Sequence, residues 1–593
     1  MSLIDRRTKL KTRRAIRRKK RQVEAVTAQA DDDFNRLLLR RYHRLVMVRR
    51  FVSVWVLFVF MIGFGAIWQV QGMNHFYLEK TPATGGVYRE GVLGTFTNAN
   101  PLFATGSVDT SVSRLIFSSL FKVSPNGDVV GDLAQDVVID DSGQIYTVTL
   151  RDNVLWHDGE QFDSSDVLFT YRTIQDSDVR SPLFNSWRGV QVTAPDALTV
   201  VFELPNSFSS FNYSLTNGIV PEHILSELDA EDLRSSPFNT VQPVGTGPFT
   251  LQTLEVIGND IDTRQEQLAF DVNEEYFGTK PLINGIVMQT YRTEDSMLSD
   301  FRDNSIQSMI GLNTIPDSIV DDEDVDTMSI PLTSSVMVFL NTSNDILSDV
   351  AVRRALAYGT DTKSIRDGLG FRAIPSDSPF LRSQFAYDPA ITQFDTNTDK
   401  AVEELEAAGW VLNEDGLREK DGVILELRLV SQSLSEYSVI TQKLQEEWGQ
   451  LGIKVDAILQ PEEDIQAGAI ARHEYDVLLY GISIGYDPDV YEYWHSSQAK
   501  SGLLNLSEFS NSSADDALEG GRTRVDEALR TAKYKPFLEA WRSEVPAIAL
   551  YQPRFLMIVQ GTFDGFEMGQ LSTASDRFWS VADWRIRLTE TVK

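Results

Sequence analysis

Residues 133–174 read LAQDVVIDDSGQIYTVTLRDNVLWHDGEQFDSSDVLFTYRTI. Within this stretch YTVTL, 146–150, alternates polar and apolar residues with period two, as a half-buried strand does. DDSG before it and RDN after it are turn chemistry. From Ser164 the period changes. Residues 164–175 space their apolar side chains as a helix, with Ser164 or Ser165 as N-cap and Asp166 in the first turn. A second strand, LTVVFEL at 198–204, follows between PDA and PNS. Strand, turn, helix and strand in so short a span predict a mixed α/β chain.

The same alternation continues outward. Residues 350–358 and 398–408 have helical spacing. Residues 437–451 form an amphipathic pattern followed by a strand-like run, 453–459. Asn413–Gly416 and Asp421–Gly422 are tight-turn signals inside a hairpin. No fixed-period repeat is present, which sets aside solenoids and propellers. The chain has 593 residues, 42% hydrophobic, 10% aromatic and 24% charged. At about 150 residues per domain this is a prior of roughly four compact units or two large lobes. The composition excludes a disordered or collagen-like chain. Cysteine is absent, so there are no disulfides, thiolate metal sites, cysteine nucleophiles or lipid-modified cysteine.

Charge is distributed unevenly. Residues 1–50 carry 17 Lys+Arg and 5 Asp+Glu, residues 51–70 carry none, and the rest has a net charge of −42. So acidic a main body argues against nucleic acid as its partner. Residues 51–70, FVSVWVLFVFMIGFGAIWQV, cover about 30 Å as a helix, one hydrocarbon core. Trp68 suits the interfacial belt. A cleaved signal peptide would have a shorter apolar region and an A-x-A-like site, whereas WQVQGMNHFYLEK follows here. An uncleaved transmembrane anchor is expected, with the basic tail in the cytoplasm and the acidic body outside. Residues 34–51 mix leucines with arginines, the pattern of a helix lying on the inner leaflet.

Catalytic constellations are not found. Six histidines occur, without H-E-x-x-H. There is no Walker A or G-x-G-x-x-G. Ser497-Gln498-Ala499-Lys500 matches S-x-x-K, but its companion K-T-G is missing, and a surface loop is the plainer reading. The acidic run at 321–326 lacks the glycine of an EF-hand and reads as a solvated loop. No enzyme activity, cofactor or metal is expected.

Several segments together resemble the family 5 extracellular solute-binding proteins, the peptide/nickel receptors of ABC importers. They are Leu150-Arg151, Trp156-His157-Asp158-Gly159 and Asp166-Val167, then PVGTGPF at 243–249, NEEYFG at 273–278 and FLN at 339–341. VRRALAY at 352–358 with Asp361, LGIKV at 451–455, YDPD at 486–489 and PAIALY at 546–551 complete the set. The order is the family's, and it spans roughly residues 86–585. The resemblance implies an α/β, two-lobed periplasmic-binding-protein fold of type II with an extra inserted subdomain, preceded here by one transmembrane helix. The implied division is a basic cytoplasmic tail at 1–50, an anchor at 51–70 and a tether at 71–85. Lobe one is 86–332 with a subdomain at about 120–240, lobe two is 333–549, and 550–593 returns to lobe one. The implied partners are a peptide ligand, an ABC permease with its ATPase subunits, and the membrane through residues 51–70.

In such a protein Trp156-His157-Asp158-Gly159, between a strand and a helix, reads as structural, with Trp156 in the core. The loop GISIGYDPDVYEYWHSS, 481–497, faces the cleft by resemblance. The family's usual amine-anchoring acid, a few positions before the D-P dipeptide, is missing, and Asp487 or Asp489 is the candidate substitute. Tyr486, Tyr491, Tyr493 and Trp494 form an aromatic cluster there, read either as core or as a wall for ligand side chains. Asn98, Asn100 and Asn341 match positions near the family's cleft; as turn-formers they would look the same. No arginine stands out for a ligand carboxylate. The expected function is a membrane-anchored receptor that captures oligopeptides between closing lobes and delivers them to a permease. The alternatives are a receptor for oligosaccharide, opine or chelated nickel, an anchored cell-envelope enzyme, and a sensor without transport.

Overall fold

The computed structural model describes residues 17–21, 23–25, 27, 28, 49–258 and 264–592. The expected inner-leaflet helix at 34–51 lies almost wholly outside them. The chain divides into two units, residues 1–81 with 588–593, and residues 82–587.

In the first unit, helix Arg49–Tyr77 contains Arg50–Gln69, with a mean hydropathy of 2.3. By length and composition this helix can cross a membrane. Over the expected tether at 71–85 the helix runs on to Tyr77 and strand Leu78–Ala83 follows, paired with Arg587–Val592. No proline stands before Pro82 to end the helix sooner.

The second unit is a mixed α/β body built on two main sheets. The seven-stranded sheet runs Val325–Pro331, Arg554–Gln560, Ser308–Ile310, Val87–Leu93, Gly285–Tyr291, Gln265–Val272, Phe249–Ile257. Its central Val87–Leu93 is parallel to both neighbours. The six-stranded sheet runs Ile374–Pro375, Ala547–Gln552, Ser334–Leu340, Val477–Ser483, Glu426–Gln432, Lys454–Gln460. The chain passes between the sheets twice, at Leu332–Thr333 and at Pro553. The expected boundary at 549/550 therefore falls inside a strand. Ala547–Gln552 is buried along its whole length and stays in the six-stranded sheet, and only Pro553, with no N–H to give the ladder, interrupts it.

A four-stranded antiparallel sheet, Ala134–Ile139, Ile145–Leu150, Thr199–Glu203 and Gln191–Asp196, holds the strands of residues 133–150. Tyr146, Val148 and Leu150 are buried and their neighbours are not, as period two requires. Helix Ser164–Gln175 forms as expected, but its N-cap is Asp163 rather than a serine. The Asp163 carboxylate accepts from Ser165 N–H, and Asp166 accepts back from Asp163 N–H. A carboxylate with this capping box out-competes either hydroxyl.

Asp166 also accepts from Trp156 Nε1 at 3.2 Å, so Trp156 is held in the core. His157 clamps the glycine loop that follows. Its Nδ1 accepts from Gly245 N–H at 3.2 Å, so Nε2 carries the proton and donates to Gly247 O at 3.0 Å. The loop lies against the end of helix Ser107–Ile116: a Cβ on Gly245 would come 1.9 Å from the Ile116 carbonyl oxygen. Gly245→Ala is expected to lower stability by about 1–3 kcal/mol, read from the unfolding midpoint. Desolvation lowers the His157 pKa from 6.5. The folded protein then holds the neutral ring, while the unfolded chain takes up a proton near 6.5. The contribution of His157 is complete above that value and is lost as pH falls through the folded pKa. Urea midpoints between pH 7.5 and 5 should fall more steeply for the wild type than for His157→Gln, and parallel curves would refute this role.

Candidate functional site

Between the parts carrying the seven- and four-stranded sheets and the part carrying the six-stranded sheet lies a cavity of about 500 Å³. Helix Ser107–Ile116 supplies one wall. Val108, Val112, Leu115 and Ile116 face the core at helical spacing, which leaves Thr110, Ser113 and Arg114 on the cavity side. The opposite wall is the loop after strand Val477–Ser483, with Tyr486, Asp487, Asp489, Glu492 and Tyr493. Arg522 and Asp576 also line it.

Contacts already reach across. Ser209 N–H donates to the Arg522 carbonyl at 2.9 Å, and Tyr486 Oη–H to that of Gln570 at 2.9 Å. The Tyr213 and Tyr486 rings stack at 14°, 6.3 Å apart. Burial, then the Asp487 charge, pushes Tyr213 up to about 12, so it is a neutral hydrogen-bonding wall.

The two candidate acids are not equivalent. Asp487 is consumed by Arg530, which binds both its oxygens at 2.7 and 2.6 Å. The Arg530 side chain is only 4% exposed. This closed fork–fork pair leaves no charge for a ligand, so Asp487 as amine anchor is corrected. Asp489 pairs with Arg522 at 3.1 Å and accepts from Tyr491 N–H. Glu492, one helical turn on, makes no ion pair or hydrogen bond among the described residues. Two carboxylates thus share one guanidinium. Desolvation first raises both their pKa values; Arg522 opposes it at each, and Asp489 adds to it at Glu492. Burial thus disfavours the ionised form of both carboxylates, and a cation placed beside them would offset that penalty.

Arg522 is also held by packing. Its guanidinium lies 4.1 Å from the Tyr491 ring centroid and 4.7 Å from that of Phe208, across the cavity. Tyr491 stacks on His495 and does not line the cavity. Trp494 is fully buried against Phe339 and Trp541; as a wall for ligand it is corrected, because core packing takes its whole surface. The three asparagines are corrected too. Asn98 accepts from Asn100 N–H. Buried Asn100 accepts from Leu102 N–H and donates to Asn239. Asn341 accepts from Ser343 and donates to Tyr475 O. All three shape turns off the cavity. Ser497 of S-x-x-K sits in a short turn where His495 Nδ1 accepts from its N–H at 3.0 Å.

Glu492, Arg522 and Arg114 were not singled out from sequence. The D-x-x-E spacing of Asp489 and Glu492 was the one local signal available. Both arginines reach the site from distant segments.

A profile of the bacterial extracellular solute-binding proteins, family 5 middle, matches residues 128–502. The chain belongs to this family. Among the relatives of this family 5 protein, the oligopeptide-binding protein AppA of Bacillus subtilis is 25% identical over 496 residues, 82% of this chain and 90% of the relative. The solved structure of Bacillus subtilis AppA with a nonapeptide has a TM-score of 0.72 at 23% identity, covering 86% of this chain and all of that one. NikZ from Campylobacter jejuni with Ni(L-His) has a TM-score of 0.71 at 24% identity, covering 84% of this chain and 99% of that one. The family is one of solute binders rather than enzymes, and the fold matches theirs.

Proposed function

We propose that this family 5 protein is a membrane-anchored, extracytoplasmic receptor for oligopeptides that hands them to an ABC permease driven by separate ATPase subunits. The halves built on the seven- and six-stranded sheets act as two lobes of a type II binding protein, with the four-stranded sheet as the inserted subdomain. Leu332–Thr333 and Pro553 are the hinge, and closure encloses the ligand between them. Residues 51–70 anchor the chain with the basic tail in the cytoplasm, and tethering keeps the receptor at high effective concentration near its permease.

The observation that carries this reading is the carboxylate pair Asp489 and Glu492, sharing Arg522 on the wall of the 500 Å³ cavity. A peptide's ammonium supplies the missing positive charge. Around it, Tyr213, Tyr486 and Tyr493 leave room for varied side chains. The full chain in mild detergent, titrated with a pool of short peptides, should show saturable binding and a rise in unfolding midpoint. A response to a nickel–histidine chelate or to oligosaccharides, with none to peptides, would overturn it.

A further inference from the structure

A second cavity, of about 380 Å³, adjoins the first, and Arg114 and Phe117 line both. Its walls are markedly aromatic: Tyr276, Phe277, Phe578 and Trp579 join Phe117. Its other cations are occupied. Lys122 pairs with Asp132 at 3.8 Å and sits 5.0 Å over the Trp579 ring. Arg151 donates from Nε to Asp132 O at 2.6 Å and lies over Phe277. Arg114 differs. It is half-buried on the last turn of helix Ser107–Ile116, and among the described residues it has no ion pair or hydrogen bond. A guanidinium held on a rigid helix at the mouth between two cavities, inside a body of net charge −42, is a ready receptor for a carboxylate, which it can bind through two parallel N–H donors.

Resting on the peptide reading above, we infer that Arg114 holds the C-terminal carboxylate of the ligand and that the second cavity houses its last side chain, with a preference for aromatic residues. The ligand then lies in one direction, its ammonium at Asp489 and Glu492 and its carboxylate at Arg114. Aromatic walls suit an aromatic side chain, and the volume lies within the range of ligand pockets.

The test uses the full chain and one peptide pool made in three versions: free acids ending in phenylalanine, the same sequences as C-terminal amides, and free acids ending in serine. The wild type should prefer the phenylalanine acids over both others. Arg114→Gln should weaken the acids roughly ten- to hundred-fold and leave the amides unchanged, with Arg114→Lys partly restoring the acids. Thr279→Trp, on the exposed rim of the second cavity, should erase the preference for phenylalanine over serine. Acids and amides that bind alike, or an Arg114→Gln variant that weakens both equally, would overturn the inference and leave the peptide reading standing. Failure of the wild type to bind any version would overturn both.

Discussion

Glu90→Gln should cost the folded body about 3–5 kcal/mol, the largest single-residue effect expected outside the ligand site. Glu90 lies in the central strand of the seven-stranded sheet and Arg577 in the returning C-terminal segment, and neither side chain is exposed. Arg577 donates from Nε and one terminal nitrogen to both Glu90 oxygens, and from the other nitrogen to Ser111 Oγ at 2.9 Å and to Ala574 O. Tyr88 Oη–H, on the same strand, donates to Ser308 Oγ at 2.6 Å. Four segments are thus tied at one point with every polar atom answered. Removing one charge leaves the other buried without its counter-ion. Replacing both, as Glu90→Leu with Arg577→Met, removes the desolvation penalty with the pair and should recover most of the loss. Urea unfolding of both single variants and the double variant gives the coupling. A single variant within about 1 kcal/mol of wild type would contradict this account. Ser111 belongs to the helix that carries Arg114, so the pair also fixes one wall of the 500 Å³ cavity.

Asp489→Asn should weaken peptides with a free amino terminus by about 2–3 kcal/mol, roughly 30- to 150-fold, and leave N-acetylated peptides little changed. The variant loses the anchoring charge and also releases Arg522, which then repels the ammonium. Glu492→Gln should act in the same direction with a smaller effect, because Asp489 keeps its partner. Asp487→Asn is the contrast. It strands Arg530, which is nearly unexposed, so its effect should be on the unfolding midpoint, with free-amine and acetylated peptides affected alike. Calorimetric titration of the three variants with paired free and acetylated peptides separates the roles. A selective loss in Asp487→Asn with none in Asp489→Asn would reverse the assignment.

The fold was legible where local physics decides it. The alternation at 146–150 and the helix at 164–175 follow from period and turn chemistry alone, and both stand where expected. In loop 481–497, expected by resemblance to face a cleft, Tyr486 and Asp489 line the 500 Å³ cavity. What failed was the sorting of residues that look alike in sequence. Asn98, Asn100 and Asn341 carry side chains suited to bind ligand backbone or to close their own turns, and only the folded chain shows those atoms already engaged. Asp487 and Asp489 are two positions apart, yet one is neutralised by Arg530, more than forty residues on, and the other is left short of charge. Trp494 and Tyr493 are adjacent, and the helical turn sends one into the core and the other to the cavity. Arg114 carries no local motif, and its lack of an ion pair or hydrogen bond among the described residues is not readable from its sequence neighbours.

The most direct measurement is mass spectrometry of the small molecules released when the purified full chain is denatured. A mixed set of short peptides with free amino termini is the predicted result. A single sugar or metal chelate, with no peptide present, would contradict the central claim that this cleft is a peptide site.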